Sequence, residues 1–254
     1  MSNIVVTAAN NVYYYSLLTL ISSIHYHSFN SIDKIIVFNL GLTEEEVKVF
    51  NQLQKVEVID FMEENKNFHS KFFDLKSYIF KCFCIKKAGE YGENILWLDA
   101  GVMALAPINE IFETISRDDI FLVGDTHLIK KYTHSKCKQI MNATEEELND
   151  TILSAGILGY KNKGKYQMFV DEAFEYSKIE GCVDGNEEDH RHDQSVYSIL
   201  AARYRIKKHD INKYGYWTDK YRTLETAKQN NAVLFVHRAS HVDTQHLRIK
   251  NGIL

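Results

Sequence analysis

The apolar run Asn94-Ile-Leu-Trp-Leu-Asp99-Ala-Gly101-Val-Met103 breaks off at a carboxylate followed by two small residues. Ile95 to Leu98 read as a short buried strand with Asp99 at its carboxyl end, where Ala100 and Gly101 let backbone approach a ligand closely. In an open α/β sheet that edge is where ligands bind. A carboxylate there either holds a divalent metal bridging phosphate oxygens or caps the next turn, and the segment alone admits both.

Other groups of residues bear chemistry of the same order. Thr7-Ala8-Ala9-Asn10-Asn11 follows the first apolar run; it lacks the G-x-G-x-x-G of a dinucleotide site, but small residues and amides suit the edges of a base or ribose, or a helix cap. Lys81 is the charge within Tyr78-Ile-Phe-Lys81-Cys-Phe-Cys, so its ammonium must reach water, a diphosphate or a carboxylate such as Asp99. Ser154-Ala155-Gly156 puts small residues inside an apolar strand, as when a sugar ring or a helix lies against the backbone. His190-Arg191-His192 leads into Asp193 and Gln194 at a helix start, where Asp193 is either an N-cap or a group facing a ligand. His237 follows the strand-like Ala232-Val-Leu-Phe-Val236, the same place in a sheet as Asp99, and histidine there is a candidate metal ligand.

The elements that must position these groups are legible in the periodicity. Strands are predicted at Ile4–Thr7, Lys34–Asn39, Val56–Asp60 and Ile95–Asp99, with helices at Tyr13–Ile24, after the Thr43/Glu46 capping box, and at Tyr78–Ala88. That alternation predicts an α/β fold with a mainly parallel sheet and helices on both faces. Further strands are predicted at Ile120–Val123, Ile152–Tyr160 and Ala232–Val236, and helices at Tyr166–Ser177 and Asp193–Tyr204. Polar, turn-rich residues make Gly181–His192 a loop. No linker or repeat divides the chain, so one domain is expected over 1–254, with a nucleotide-type half (1–105) and an attached second half (106–254) sharing one core.

Composition narrows the classes. The chain has 254 residues, 45% hydrophobic and 25% charged, enough for one sizeable core. A net charge of −4 gives no basic field for nucleic acid, so no nucleic-acid partner is expected. Cys82, Cys84, Cys137 and Cys182 form neither a C-x-x-C pair nor a secreted disulfide framework, which suits reduced thiols. No stretch has a signal-peptide pattern or approaches the roughly 18 apolar residues of a membrane span. The expectation is a cytoplasmic protein with at most peripheral contact at the inner face of a membrane, through a small patch such as Lys207 and Lys208. Asn142-Ala-Thr144 matches a glycosylation acceptor, a pattern that is frequent by chance.

In order along the chain, these groups resemble the layout of GT-A glycosyltransferases. The likeness is to retaining, family-8-like sugar transferases and related bacterial enzymes of polysaccharide assembly. It covers nearly the whole chain and rests on order rather than on one diagnostic motif. The resemblance implies a GT-A, Rossmann-like single domain that moves a hexosyl unit from a nucleotide sugar, a UDP-sugar, to a glycan or glycolipid acceptor. Thr7, Ala8 and Asn10 are then near the base and ribose, Lys81 near the phosphates, and Ala155 and Gly156 beside the donor sugar, with Ser154 in place of the family's Asn. Asp193 and Gln194 match the family's catalytic Asp-Gln pair, with His192 next to it in the donor site. Asp99 and His237 match its metal ligands for Mn²⁺ or Mg²⁺.

Two departures stand out. Gly101 occupies the place of the second acid of the D-x-D motif, and no Gly-x-x-Lys-Pro-Trp segment follows His237. Lys81, Arg191 or Arg238 is then an alternative source of positive charge. A catalytically silent sugar-nucleotide or partner-binding domain is the competing class. A nucleotidyltransferase ranks third, because Thr7–Asn11 is neither glycine-rich nor basic. Thr126–Gln139, rich in His, Lys and Tyr, is the candidate acceptor segment.

Overall fold

Strong strand formers open the chain, and buried runs alternating with amphipathic segments wind it into a layered α/β structure. The computed structural model describes residues 1–65, 74–183 and 190–250. β1 (Asn3–Ala9), β2 (Lys34–Asn39), β3 (Val56–Asp60) and β4 (Asn94–Leu98) alternate with α1 (Tyr14–His27), α2 (Glu44–Gln52), and α3 (Phe61–Asn65) followed by α4 (Ile79–Lys87). Next come β5 (Val102–Ala104), α5 (Asn109–Asp118), β6 (Ile120–Leu128), α6 (Ser135–Ile140), α7 (Glu145–Leu148), β7 (Thr151–Lys161), α8 (Gln167–Ser177) and α9 (Asp193–Arg203). The short β8 (Lys208–His209), α10 (Ile211–Tyr214), β9 (Tyr216–Trp217), α11 (Leu224–Gln229) and β10 (Leu234–Val236) complete the elements.

The main sheet has the order β3-β2-β1-β4-β7-β6-β8. β3, β2, β1 and β4 pair parallel, as do β6 and β8, while β7 runs against both its neighbours. The sheet is the mixed, mainly parallel one that the alternation predicts. Its faces follow the period of two: Ile4, Val6, Ile95 and Trp97 pack with α4, α8 and α9, and Val5, Leu96 and Leu98 pack with α1, α2 and α5. The carboxyl ends of β1, β4 and β6 therefore share one edge.

Element boundaries move where backbone conformation rather than pattern decides. Tyr78, the expected first residue of a helix, is left-handed (φ 56°), and α4 starts at Ile79. The late strand begins at Leu234 rather than Ala232. Of the expected loop at Gly181–His192, residues 184–189 lie outside the described residues. The Thr43/Glu46 capping box is present in both directions, at 3.2 and 2.8 Å. Of a second sheet, β5-β10-β9, the sequence reading has only β10, because the two- and three-residue strands β9 and β5 are too short to display a period.

Helix α1 carries buried polar groups that its apolar pattern does not explain. They hold the carboxyl-terminal segment: Thr19 Oγ1 accepts from the Asp243 N–H (3.0 Å), Ser22 Oγ from His246 (3.1 Å) and His25 Nδ1 from Arg248 (3.0 Å). With Nδ1 accepting, His25 Nε2–H donates to the Gln54 carbonyl at 3.0 Å, so a neutral imidazole satisfies both partners. Burial, followed by the nearby Arg248 and Lys55 charges, pushes the His25 pKa down to about 4, although the Gln54 bond opposes this. A lowered folded-state pKa means that the unfolded chain binds the proton first as pH falls. This contribution to stability is present above about pH 6.5 and is lost between there and about 4, at up to about 1.4 kcal/mol per pH unit. Chemical denaturation at pH 7 and pH 4.5 should show this loss, and His25→Gln should flatten the dependence.

Candidate active site

Because side chains alternate along a strand, Trp97 and Asp99 face the same way at the end of β4, toward α4 and α9. The Trp97 Nε1–H donates to Asp99 Oδ1 at 2.7 Å. On β7, the Gly156 carbonyl accepts from the Asp99 N–H at 2.9 Å. A Cβ at position 156 would lie 2.9 Å from Asp99 Oδ2, so only glycine leaves room for the carboxylate as it stands.

Lys81, two turns from the carboxyl end of α4, is 4% exposed and sends its ammonium to this edge. Nζ lies 2.9 Å from Asp99 Oδ1 and 3.3 Å from Asp193 Oδ2, and 5.7 Å from the centre of the Trp97 ring. Burial by itself would lower the Lys81 pKa, but the carboxylates of Asp193 and Asp99 outweigh it and hold the group charged, above the ordinary lysine value. Burial raises the Asp193 pKa and the Asp99 charge adds to it, with Lys81 opposing both. Asp193 Oδ2 makes no hydrogen bond among the described residues, so it keeps accepting capacity beyond the ion pair.

Asp193 is therefore not an N-cap. It occupies the first turn of α9, behind His192 at the cap position, and its carboxylate is directed to Lys81. His192 has φ 51° and ψ −126°, a costly conformation for a side-chain-bearing residue. It is fixed by Nδ1–H donating to the Val183 carbonyl (2.9 Å) and by its ring lying 5.1 Å from that of Tyr78. The left-handed residues Tyr78 and His192 thus precede the two helices that supply Lys81 and Asp193, and they touch each other. Ser195 ties the same helix start to the candidate acceptor segment: its hydroxyl donates to the Tyr132 carbonyl (2.7 Å) and accepts the Arg191 N–H (3.1 Å). The Arg191 guanidinium lies 4.7 Å from the centre of the Tyr132 ring. Gln194 is half-buried beside Asp193, Ala155 is buried and Ser154 half-buried on β7.

At the carboxyl end of β1, Thr7 Oγ1 and Asn10 Oδ1 are buried and without hydrogen-bond partners among the described residues. Asn10 stands before a short helical turn (Asn11–Tyr13) but its side chain makes no capping bond, so the cap reading is not what the structure adopts. Ala8 lies between them, on the face opposite Thr7.

His237 follows β10, and its N–H donates to the Gly101 carbonyl at 2.8 Å. The ring is fully buried, both nitrogens lack partners among the described residues, and burial, then the neighbouring His241, pushes its pKa down to about 4. A neutral imidazole with free nitrogens fits a divalent cation, as does the half-exposed carboxylate of Asp99. The set stops there: among the described residues no three His, Cys, Asp or Glu side chains are grouped to hold a metal. A cation at Asp99 and His237 needs phosphate oxygens and waters for the rest of its shell.

Trp97 and Tyr78 were not singled out from the sequence. Trp97 carried a usable signal, since residues two apart on a strand share a face; a left-handed tyrosine carries none.

No protein-family model matches the sequence, and no curated protein matches it either. Solved structures match by shape. The bifunctional glycosyltransferase WbbM aligns with a TM-score of 0.64 and 13% identity over 97% of this chain and 48% of its own, so this chain spans about half its length. The galactosyltransferase LgtC, in complex with donor and acceptor sugar analogs, aligns at 0.56 and 14% over 96% of this chain and 91% of its own. Core-mannan synthase A from Aspergillus fumigatus, in its Mn/GDP form, aligns at 0.53 and 11% over 84% of this chain and 73% of its own. The chain has the GT-A fold.

Removing the ammonium would leave two facing carboxylates, one of them buried. Lys81→Met should cost about 3–5 kcal/mol in denaturant unfolding at pH 7, and the cost should shrink when Asp193→Asn is added.

Proposed function

We propose that this protein is a glycosyltransferase that moves a hexosyl unit from a UDP-sugar to a hydroxyl of a glycan or glycolipid acceptor in bacterial surface polysaccharide assembly. The observation that carries the reading is the Asp99–Lys81–Asp193 chain at the carboxyl edge of a GT-A sheet. A buried, permanently charged ammonium between two acids is an arrangement for handling charge that forms and moves, at the edge where such sheets bind ligands. Donor binding falls to residues 1–105 and acceptor binding and catalysis to 106–254.

Breaking a sugar–diphosphate bond builds negative charge on the departing phosphate and positive charge on the anomeric carbon. Asn10 Oδ1 and Thr7 Oγ1 offer unused hydrogen-bonding capacity to the base and ribose. Lys81 holds Asp99 and Asp193 in place and lowers the cost of anionic phosphate beside them. Mn²⁺ or Mg²⁺ held by Asp99 and His237 would supply Lewis-acid neutralisation of the leaving diphosphate. Asp193, with Gln194 beside it, faces the developing positive charge. Its burial in an ion pair suits electrostatic stabilisation better than proton abstraction, which favours a retaining outcome over an inverting one. The acceptor enters over Tyr132 and Arg191, which Ser195 fastens to the start of α9.

A sugar-nucleotide-binding domain without turnover is the second reading, favoured by Gly101 where the family has its second metal acid. Calorimetric titration with UDP, GDP and CMP, with and without Mn²⁺, followed by assays of UDP-sugar hydrolysis and transfer, separates the two. Selective UDP binding with turnover is the expected result; UDP binding without turnover supports the second reading, and no nucleotide binding rejects both. Asp193→Asn should lower turnover by about a hundredfold or more while changing UDP affinity by no more than about threefold.

A further inference from the structure

The small sheet β5-β10-β9 sets Val102, Val236 and Trp217 in one row across its three strands. One residue further toward the site, Gly101 meets His237 through the 2.8 Å backbone bond, and Arg238 follows. A Cβ at position 101 would lie 3.3 Å from Arg238 Cα and 3.4 Å from its nitrogen. The Arg238 backbone thus comes close to the place of the second acid. A side chain there would require a shift of a few tenths of an ångström in a segment where Arg238 (φ 49°) and Ala239 (φ 66°) are both left-handed.

What this segment presents instead is positive. The Arg238 guanidinium lies 5.8 Å from the centre of the Trp217 ring, and that of Arg222 lies 5.1 Å from the same ring and 4.6 Å from the Tyr216 ring. Arg222 is braced by a hydrogen bond to Asn212 Oδ1. Among the described residues neither guanidinium is paired with a carboxylate. Asp99, Asp193 and Lys81 together carry one net negative charge, which repels a diphosphate; the two arginines at the neighbouring sheet end offset it, against the one carboxylate of Asp219 that accepts the Tyr221 and Arg222 backbone N–H groups at 2.7 Å.

We propose that Arg238, with Arg222 on the same indole, binds the diphosphate of the nucleotide donor and supplies the charge that a second metal-binding acid would otherwise recruit through a cation. The proposal rests on the donor-site reading above. A guanidinium on an aromatic face keeps its N–H fork free for two phosphate oxygens while the ring limits its motion. Gly101 and Arg238 then act as a coupled pair, the absent side chain at one making room for the other.

The test is calorimetric titration of the full chain in EDTA with UMP and UDP, repeated with Mn²⁺, on the wild type, Arg238→Ala, Arg238→Lys and Arg222→Ala, each first shown by thermal melting to be folded. In EDTA the wild type should bind UDP about tenfold or more tighter than UMP, and Arg238→Ala should reduce that preference to about twofold with UMP affinity unchanged. Arg238→Lys should recover part of the preference, Arg222→Ala should lose part of it, and Mn²⁺ should strengthen UDP binding more in Arg238→Ala than in the wild type. Full retention of the UDP preference by folded Arg238→Ala and Arg222→Ala overturns the proposal and leaves the donor site standing. Failure of the folded wild type to bind either nucleotide overturns the donor-site reading and the proposal with it.

Discussion

The site depends on one buried cation. Lys81 touches carboxylates delivered by different elements, Asp99 from the end of β4 and Asp193 from the start of α9, while its own stem is held in α4. Neither acid is independent of it: without the ammonium, Asp193 would be an unpaired buried charge, and the half-exposed Asp99 would face a like charge. Burying an ion pair gives little net stability over a well-packed apolar core. What it gives here is position, because one ammonium reaches both oxygens only when the strand end and the two helices sit as they do.

The surrounding structure exists to hold that arrangement. Trp97 orients Asp99 from the same strand face, and Gly156 leaves the volume the carboxylate fills. Tyr78 and His192 bend the chain into left-handed conformations directly before α4 and α9, and the cost is met by packing of their rings and the His192–Val183 bond. On the opposite face of the sheet, Thr19, Ser22 and His25 of α1 bind the carboxyl-terminal segment, which leads back toward His237 and Arg238. The charge of the edge is thus assembled from both ends of the chain.

Two features close to Asp99 give this edge its chemical character. At position 101 the backbone of an arginine, Arg238, makes a close approach. His237 is buried and neutral, and both its ring nitrogens lack partners among the described residues. The edge combines a half-exposed carboxylate and a neutral imidazole with two guanidinium groups near the Trp217 ring.

The sequence by itself determined the parallel core and where its elements lie, since Ile4–Thr7, Lys34–Asn39, Val56–Asp60 and the helices between them repeat with periods that only one layered arrangement can bury. It also marked Lys81, Asp99, Asp193 and His237, because a charge within an apolar helix or at a strand end must find a partner. It left Asp193 open between cap and ligand group, and Asn10 between cap and free acceptor. Only the tertiary structure decided those, together with the role of Trp97, the left-handed Tyr78 and His192, the small sheet that brings Arg238 against Gly101, and the anchoring of the carboxyl-terminal segment on α1. The reason is distance along the chain: periodicity records which face of an element is buried, whereas the partner of a buried charge is set by packing between elements far apart in sequence, as Lys81 and Asp193 are.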